Sequence, residues 1–236
     1  MPTSFFKFKK FIIHHDKCAM KVGTDGVLLG AWATVSGKRK IVDIGTGSGL
    51  ISLMLAQRSD AEIVAIDIDS SACLQATENI AGSIFNGRIR VYHTSLNEFA
   101  EKSNELYDLI VSNPPYFKAS LLSPVHERNL ARHNGSLSLQ SLVEDSLKRL
   151  APSGCLALIL PYDQEAELNR IVADSNLYFN KKTYVRPTPE ANYKRILVEI
   201  GTHNTECIRE ELTIEASRHK YTQEYTELTK DFYLKM

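Results

Sequence analysis

The sequence has 236 residues, of which 43% are hydrophobic, 24% are charged and 8% are aromatic. This composition excludes a disordered, collagen-like or coiled-coil chain, and the length favours a single α/β unit. Lys and Arg together number 28, as do Asp and Glu, so the formal net charge is zero.

Apolar runs and cysteines indicate the compartment. No apolar run approaches the ~20 residues that span a bilayer, so we expect no membrane contact. The cysteines, at positions 18, 73, 155 and 207, are scattered and form no C-x-x-C pair. This spacing predicts neither a disulfide framework nor a zinc site, and it favours the reducing cytoplasm.

The first 40 residues form a basic segment, with eight Lys or Arg residues against two Asp. Lys7, Lys9 and Lys10 alternate with the aromatic residues of Phe5–Phe11. Lysines neutralise phosphates and aromatic rings stack on bases, so the pattern favours contact with nucleic acid. A solvated surface segment would carry the same charge run. We therefore divide the chain into two parts. Residues 1–40 are a basic aromatic N-terminal arm and a segment that flanks the cofactor site, and residues 41–236 are the main domain.

From residue 41 onward, short apolar runs alternate with helical periodicity. Strands are predicted at 41–44, 63–66, 88–93, 109–112, 155–160, 181–186 and 195–200, and helices at 50–58, 70–84, 138–150 and 164–174. A turn is predicted at Pro152-Ser153-Gly154. Tyr221, Tyr225, Phe232 and Tyr233 have near-helical spacing, which usually indicates core packing. The pattern predicts a doubly wound α/β fold with a mostly parallel seven-stranded sheet, closed by an antiparallel edge pair.

A glycine-rich turn, Val42-Asp43-Ile44-Gly45-Thr46-Gly47-Ser48-Gly49, follows the first of these strands. Its G-x-G-x-G spacing differs from the dinucleotide fingerprint G-x-G-x-x-G, so NAD is disfavoured. Asp67 ends the next strand, where a carboxylate accepts hydrogen bonds from ribose hydroxyls. Asp43 either meets a cationic ligand or holds the loop together. The candidate cofactor-binding residues here are Asp43, Gly45, Thr46, Gly47, Gly49, Asp67 and Ile68.

A second candidate site, Asn113-Pro114-Pro115-Tyr116-Phe117, follows the strand at 109–112. Prolines end regular structure and fix φ, so they hold the strand end rigid. An aromatic pair after two prolines, at the mouth of the sheet, favours a binding role over a simple turn.

The two motifs together resemble those of the S-adenosylmethionine-dependent amino methyltransferases, which have the class I methyltransferase fold. The arm at 5–11 and the segment Gly23-Thr24-Asp25 are similar to those of the bacterial family that methylates N6 of adenine 37, next to the anticodon of tRNA1(Val). The resemblance covers most of residues 20–200. It implies S-adenosylmethionine as the cofactor, the anticodon stem-loop of tRNA as the partner, and residues 41–236 as the methyltransferase domain.

The resemblance also implies roles for individual residues. Asn113, Pro114, Pro115 and Tyr116 would be catalytic. The Asn113 amide oxygen and the Pro114 carbonyl would accept hydrogen bonds from the adenine N6, and Tyr116 would stack on the base. Asn113 would also border the cofactor. The family usually has an acidic residue contacting the cofactor's adenine where this sequence has Ser95, so Ser95 and Leu96 become the candidates for that contact.

The segment 118–137 has little periodicity, and long connections of this kind are often functional. We interpret it as a lip that reaches RNA phosphates; a disordered excursion is the alternative. The candidate substrate-binding residues are Phe117, Lys7, Lys9, Lys10, Arg128 and Arg132. A protein-glutamine methyltransferase and a non-catalytic RNA-binding module remain alternative functions. No metal is expected, and we expect a monomer.

Overall fold

The computed structural model describes residues 4–18, 20–115 and 137–235. The strands are β1 (Phe5–Lys7), β2 (Ile12–His14), β3 (Lys40–Ile44), β4 (Glu62–Asp67), β5 (Ile89–His93), β6 (Tyr107–Ser112), β7 (Leu150–Pro161), β8 (Tyr178–Arg186), β9 (Arg195–Gly201), β10 (Ile208–Thr213), β11 (Glu215–Ser217) and β12 (Lys220–Tyr221). The helices are α1 (Thr24–Trp32), α2 (Leu50–Arg58), α3 (Ser70–Ala81), α4 (Leu96–Lys102), α5 (Leu139–Leu147), α6 (Glu165–Asp174) and α7 (Gln223–Thr229).

The central sheet has the order β10-β8-β9-β7-β6-β3-β4-β5. Strands β3 to β7 pair in parallel, and β9 is antiparallel to both β7 and β8. This arrangement confirms the predicted mostly parallel α/β sheet with an antiparallel pair.

The predicted strand count was too low, because β10 pairs in parallel with β8 and makes the sheet eight-stranded. The antiparallel pair therefore lies one strand in from the edge. In β10 only Leu212 is buried, and the Arg and Glu side chains are exposed. Such an edge strand has little apolar alternation by which the sequence alone could reveal it.

The predicted turn at 152–154 is also wrong, because β7 runs without interruption from Leu150 to Pro161. Tyr107 pairs with Leu150 but Leu109 pairs with Cys155, so the residues between form an irregularity in the β6–β7 ladder. A Cβ atom on Gly154 would lie 2.8 Å from the Tyr107 carbonyl oxygen. The glycine therefore serves a close backbone approach within a strand.

Two hydrophobic clusters cover the two faces of the sheet, as a doubly wound fold requires. One contains Val27 of α1, Leu53 of α2 and Tyr225 of α7. The other contains Leu142 of α5 and Leu168 of α6. In the described part of the chain, none of the helices has the length and apolar character that a membrane span requires.

The N-terminal residues belong to the first of these clusters. Phe8, Phe11 and Ile13 are at most 5% exposed, and the Phe8 ring lies 5.9 Å from that of Tyr233. The interpretation of Phe8 and Phe11 as base-stacking residues is therefore wrong, because burial against the C-terminal segment removes their faces from solvent. Phe5 and Phe6 remain exposed.

Candidate cofactor and acceptor site

The predicted motifs meet at one edge of the sheet. Ile44 of β3 pairs with Ile66 of β4 and with Ser112 of β6, so the residues that follow these strands lie side by side. The Ser112 hydroxyl donates to the Ile44 carbonyl over 2.9 Å and ties the two strand ends together. The carboxyl ends of parallel strands form the crevice where α/β proteins bind ligands.

The glycine loop turns from β3 into α2 through left-handed backbone conformations. Gly45, Gly47 and Gly49 have φ values of 69°, 56° and 81°, which L side chains rarely adopt. Among the described residues, no atom lies within 4 Å of where a Cβ would stand on Gly45 or Gly47. The loop therefore presents its backbone to open space at the mouth of the sheet.

Asp43 is fully buried beneath this loop. Its Oδ2 accepts hydrogen bonds from the hydroxyls of Thr46 and Ser52, both at 2.7 Å, and from the Ser52 amide. Burial raises the pKa of Asp43 to about 6 despite these hydrogen bonds. Of the two roles considered for Asp43, these contacts favour that of holding the loop together.

Asp67 stands at the end of β4, directly opposite the loop. Its Oδ2 accepts from the Gly47 amide at 2.8 Å, and its Oδ1 accepts from the Asp69 amide at 2.9 Å. Each carboxylate oxygen can accept more than one hydrogen bond, so Asp67 retains capacity for ribose hydroxyls. The two amides also fix the orientation of the carboxylate.

The neighbouring positions differ in how exposed they are. Ile68 is 59% exposed beside Asp67, and its carbonyl lies 3.0 Å from the His93 Nε2. Ser95 caps α4, because its hydroxyl oxygen accepts from the Glu98 amide, while Leu96 is buried. The Ser95 oxygen is thus engaged in the cap, although its hydroxyl proton can still be donated.

Asn113 follows β6 and is half-buried, Pro114 is buried and Pro115 is exposed. Because Ser112 pairs with Ile44, Asn113 lies next to the glycine loop at the carboxyl edge of the sheet. The other residues predicted in this region lie outside the described residues: Tyr116, Phe117, Arg128 and Arg132.

A stretch of the N-terminal segment, residues 14–18, follows α3 toward Asp67, and the sequence patterns did not predict it. The Asn79 side chain bonds both backbone groups of His14 and also donates to the Ser48 carbonyl of the glycine loop, at 2.8–2.9 Å. Burial, and then the carboxylate of Asp67, raise the pKa of Cys18 to about 11. No local sequence pattern indicates that residues 14–18 lie along α3.

The Gly-Thr-Asp segment lies at the carboxyl edge of the sheet. Asp25, in the first turn of α1, accepts a hydrogen bond from Arg195 Nε at 2.8 Å. Arg195 opens β9 and pairs with Pro161, the last residue of β7, so this ion pair stands at the same edge of the sheet as Asn113. It joins residues 170 positions apart, which explains why no sequence pattern predicted it.

The three lysines of the arm lie on or after β1. Lys7 is exposed, and so is Lys10. The Lys9 ammonium donates to the Lys230 carbonyl at 2.6 Å, and the nearby Asp231 carbonyl accepts from Gln57 near the end of α2. Because α2 begins at the glycine loop, Lys9 lies at the helix end remote from the crevice.

Within 4–18, 20–115 and 137–235, no three His, Cys, Asp or Glu side chains are grouped so that they could hold a metal ion.

Comparison with known proteins agrees with this fold. A predicted O-methyltransferase from Agrobacterium tumefaciens superposes with a TM-score of 0.67, covering 88% of this chain and 96% of its own at 19% identity. The T. thermophilus 16S rRNA N2 G1207 methyltransferase, solved with AdoMet and guanosine, gives a TM-score of 0.55 over 84% of this chain and 51% of its own, at 20% identity. The fold is thus that of the class I methyltransferases.

The model of the methyltransferase small domain family matches residues 23–185. A tRNA1(Val) (adenine(37)-N6)-methyltransferase of Parabacteroides distasonis is 55% identical over 237 residues, covering all of both chains. The chain belongs to the methyltransferase small domain family, and also to the family of tRNA1(Val) (adenine(37)-N6)-methyltransferases whose members match it over its whole length.

The residues present fit S-adenosylmethionine, the cofactor of this methyltransferase. The open glycine loop permits close approach of a ligand to the backbone, and Asp67 offers two oriented acceptors for vicinal ribose hydroxyls.

Proposed function

We propose that the protein transfers the methyl group of S-adenosylmethionine to the exocyclic N6 of adenine 37, next to the anticodon of tRNA1(Val). The observation that carries the proposal is the position of Asn113 and Pro114 at the end of β6, beside the glycine loop of β3. Whole-length similarity to tRNA1(Val) (adenine(37)-N6)-methyltransferases supports the acceptor.

The cofactor supplies an electrophilic methyl group on a sulfonium. We propose that Gly45, Thr46, Gly47 and Gly49 hold it through their backbone, with Asp67 and Ile68 beside its ribose and Ser95 and Leu96 beside its adenine. In this arrangement the chain provides position and shape, and Asp43 keeps the loop in place through Thr46 and Ser52.

The acceptor nitrogen needs activation, because its lone pair is delocalised into the adenine ring. The Asn113 amide oxygen and the Pro114 carbonyl oxygen accept hydrogen bonds from its two N–H groups. These hydrogen bonds favour a pyramidal nitrogen with its lone pair directed at the methyl group. Positioning of this kind supplies most of the rate. The cofactor's sulfur would keep the electron pair of the broken bond, and the methylated nitrogen, then cationic, would release its extra proton to water, so no strong general base is needed. In this proposal Pro115 keeps the strand end rigid and Tyr116 stacks on the base.

The partner is the anticodon stem-loop, bound by a monomer in the cytoplasm. Lys7, Lys9 and Lys10 contact phosphates away from the target nucleotide, because Lys9 lies at the end of α2 remote from the crevice. In this proposal residues 1–40 extend the methyltransferase domain at 41–236: their apolar side chains pack in its core, and the exposed lysines of the arm contact RNA. We propose that Phe117, Arg128 and Arg132 also bind the RNA substrate.

The direct test is methyl transfer from tritium-labelled S-adenosylmethionine to bulk tRNA that lacks the modification, followed by nucleoside analysis. N6-methyladenosine at position 37 of tRNA1(Val) is the expected product. Label in methylglutamine of a protein extract would instead favour the protein-glutamine methyltransferase. Cofactor binding without transfer to any RNA would favour a non-catalytic module.

The Asn113→Ala variant separates binding from chemistry. We expect the kcat for tRNA to fall by roughly 100-fold or more, as on removal of one positioned polar group from a developing charge, while cofactor affinity is retained. Calorimetry with S-adenosylmethionine and single-turnover transfer measure the two quantities. An unchanged kcat would remove Asn113 from the catalytic site.

A further inference from the structure

Three tyrosines lie together at the carboxyl edge of the sheet, where β7, β8 and β9 continue the sheet beyond β6. Tyr162 follows the end of β7, Tyr184 lies near the end of β8, and Tyr193 precedes β9. Their ring centroids are 5.3–6.0 Å apart. We call these three residues the tyrosine cluster.

One of the three rings is fixed by a carboxylate. The Tyr184 hydroxyl donates to Glu165 Oε1 at 2.7 Å, and the same carboxylate oxygen is 3.1 Å from the buried Lys182 ammonium. Burial, with this hydrogen bond, raises the pKa of Tyr184 to about 12. A hydrogen bond to Glu211 raises the pKa of Tyr193. The hydrogen bond to Glu165 therefore holds the Tyr184 ring in place before any ligand arrives.

One member of the cluster, Tyr162, is exposed, and Tyr184 and Tyr193 are half-buried. Tyr162, directly after β7, is 39% exposed. The Arg186 guanidinium lies 5.9 Å from the Tyr193 ring centroid, and the adjacent Lys194 is exposed. Aromatic faces beside cations match a nucleotide, which has a flat base and an anionic phosphate.

The register places the cluster close to Asn113. Strand β7 is the neighbour of β6, and Ser112 pairs with Leu158. Tyr162 is four residues beyond Leu158, whereas Asn113 is one residue beyond Ser112. At about 3.3 Å per residue and about 4.8 Å between strands, Tyr162 stands roughly 10 Å outward from Asn113 and one strand to the side. This is a place for a nucleotide next to the target, and too far for the target base itself.

We propose that the tyrosine cluster binds one base of the RNA that flanks the target adenine, with Tyr162 as the stacking face and Tyr193 as its support. The proposal rests on the proposed RNA acceptor. It adds a binding site for a second nucleotide, which would help select adenines in a loop, where neighbouring bases are free to unstack.

The test uses the full-length protein and a set of anticodon stem-loop RNAs. One RNA is intact, and each of the others lacks a single base at a position flanking the target. Tyr162→Ala is compared with Tyr162→Phe, which keeps the ring, and with Tyr221→Ala. Tyr221 is the matched control, because it is 48% exposed and lies in β12, outside the central sheet.

With intact RNA, Tyr162→Ala should raise the Kd for RNA and the KM by about 5- to 150-fold, the range for loss of one base–aromatic stack. S-adenosylmethionine affinity should stay unchanged in all variants, and Tyr162→Phe and Tyr221→Ala should bind RNA as the wild type does. One of the abasic RNAs should bind the wild type more weakly than intact RNA does, by the same factor in Kd. The Tyr162→Ala variant should bind that abasic RNA with the same Kd as the wild type does.

Additive losses at every abasic position, or unchanged RNA affinity in Tyr162→Ala, would overturn the tyrosine-cluster proposal while leaving RNA methylation intact. A wild-type protein that methylates no RNA would instead overturn the proposed function, and the inference with it.

Discussion

Asp43 is a buried carboxylate whose ionisation the fold makes unfavourable. Its pKa of about 6 lies above the ordinary value of 3.8, so between about pH 4 and 6 the folded state keeps a proton that the unfolded state releases. The stability from this group is therefore full below about pH 4 and is lost as the pH rises through 6.

We expect the free energy of unfolding of the wild type to fall relative to that of Asp43→Asn between pH 4 and 7, by at most about 3 kcal/mol. The asparagine keeps an acceptor for Thr46 and Ser52 but cannot ionise. Urea unfolding across this pH range measures the difference, with Asp60→Asn at an exposed carboxylate as the control. If the free energies of unfolding of the wild type and Asp43→Asn ran parallel with pH, burial would not raise the pKa of Asp43.

Asp67 combines ligand binding with support of the glycine loop. Asp67→Ala removes the acceptor of the Gly47 and Asp69 amides as well as the proposed ribose contact. We expect S-adenosylmethionine to bind about 1.5–3 kcal/mol more weakly, the range for a hydrogen bond to a charged group. Calorimetry gives the value.

The affinity of Asp67→Asn for S-adenosylmethionine should lie between those of the wild type and Asp67→Ala, because the amide retains one acceptor oxygen. Asp69→Ala is the matched control, since Asp69 instead caps α3 by accepting from the Ser71 amide. Unchanged cofactor affinity in a folded Asp67→Ala protein would remove Asp67 from the site.

At the scale of elements, the packing of α1 on α2 depends on two glycines one helical turn apart. A Cβ on Gly30 would lie 2.8 Å from Met54 Sδ and 2.9 Å from Met54 Cβ, and one on Gly26 would lie 3.0 Å from Leu50 Cδ2. Met54 is fully buried and cannot move aside easily. These contacts bring α1, which carries Asp25, against the helix that starts at the glycine loop.

Gly30→Ala should therefore destabilise the protein by about 1–3 kcal/mol through overpacking, although alanine is the better helix former by up to about 1 kcal/mol. Urea titration gives the free energy of unfolding and thus shows whether Gly30→Ala is less or more stable than the wild type. Gly87→Ala is the control, because none of the described atoms lies within 4 Å of where its Cβ would stand and its φ is not in the left-handed region. A stabilised Gly30→Ala would mean that α1 and α2 separate without cost.

The helices and strands show what local patterns can and cannot reveal. The runs at 41–44, 63–66 and 109–112 correspond to β3, β4 and β6, because parallel strands buried on both faces are continuously apolar. The helices predicted at 70–84 and 138–150 end earlier, at Ala81 and Leu147, since tertiary contacts rather than periodicity set their ends.

At the scale of the whole molecule, RNA binding should show its electrostatic component through salt. If the arm contacts phosphates, log K for tRNA falls linearly with log salt, with a slope of about −0.7 to −0.9 per phosphate. Neutralising Lys7, Lys9 and Lys10 should flatten the slope and weaken tRNA binding without changing cofactor affinity. Filter binding at several salt concentrations measures both.

The control neutralises three other lysines, Lys38, Lys102 and Lys148. They precede β3, β6 and β7, so they lie at the amino edge of the sheet, opposite the crevice. The two triple variants carry the same net charge, and only the arm variant should change the slope. Equal slopes in both variants and in the wild type would show that the arm lysines only solubilise the chain.

The sequence by itself determined the α/β class, the glycine loop after β3, the acidic end of β4 and the Asn-Pro-Pro strand end, because each is encoded within a few consecutive residues. Tertiary structure alone decided that Phe8 and Phe11 are core residues, that Asn79 joins His14 to Ser48, and that Arg195 meets Asp25 across 170 positions. It also decided that Tyr162, Tyr184 and Tyr193 form one cluster. The physical reason is that burial and ion pairing depend on which distant segments the sheet order brings together, and no local periodicity records that order.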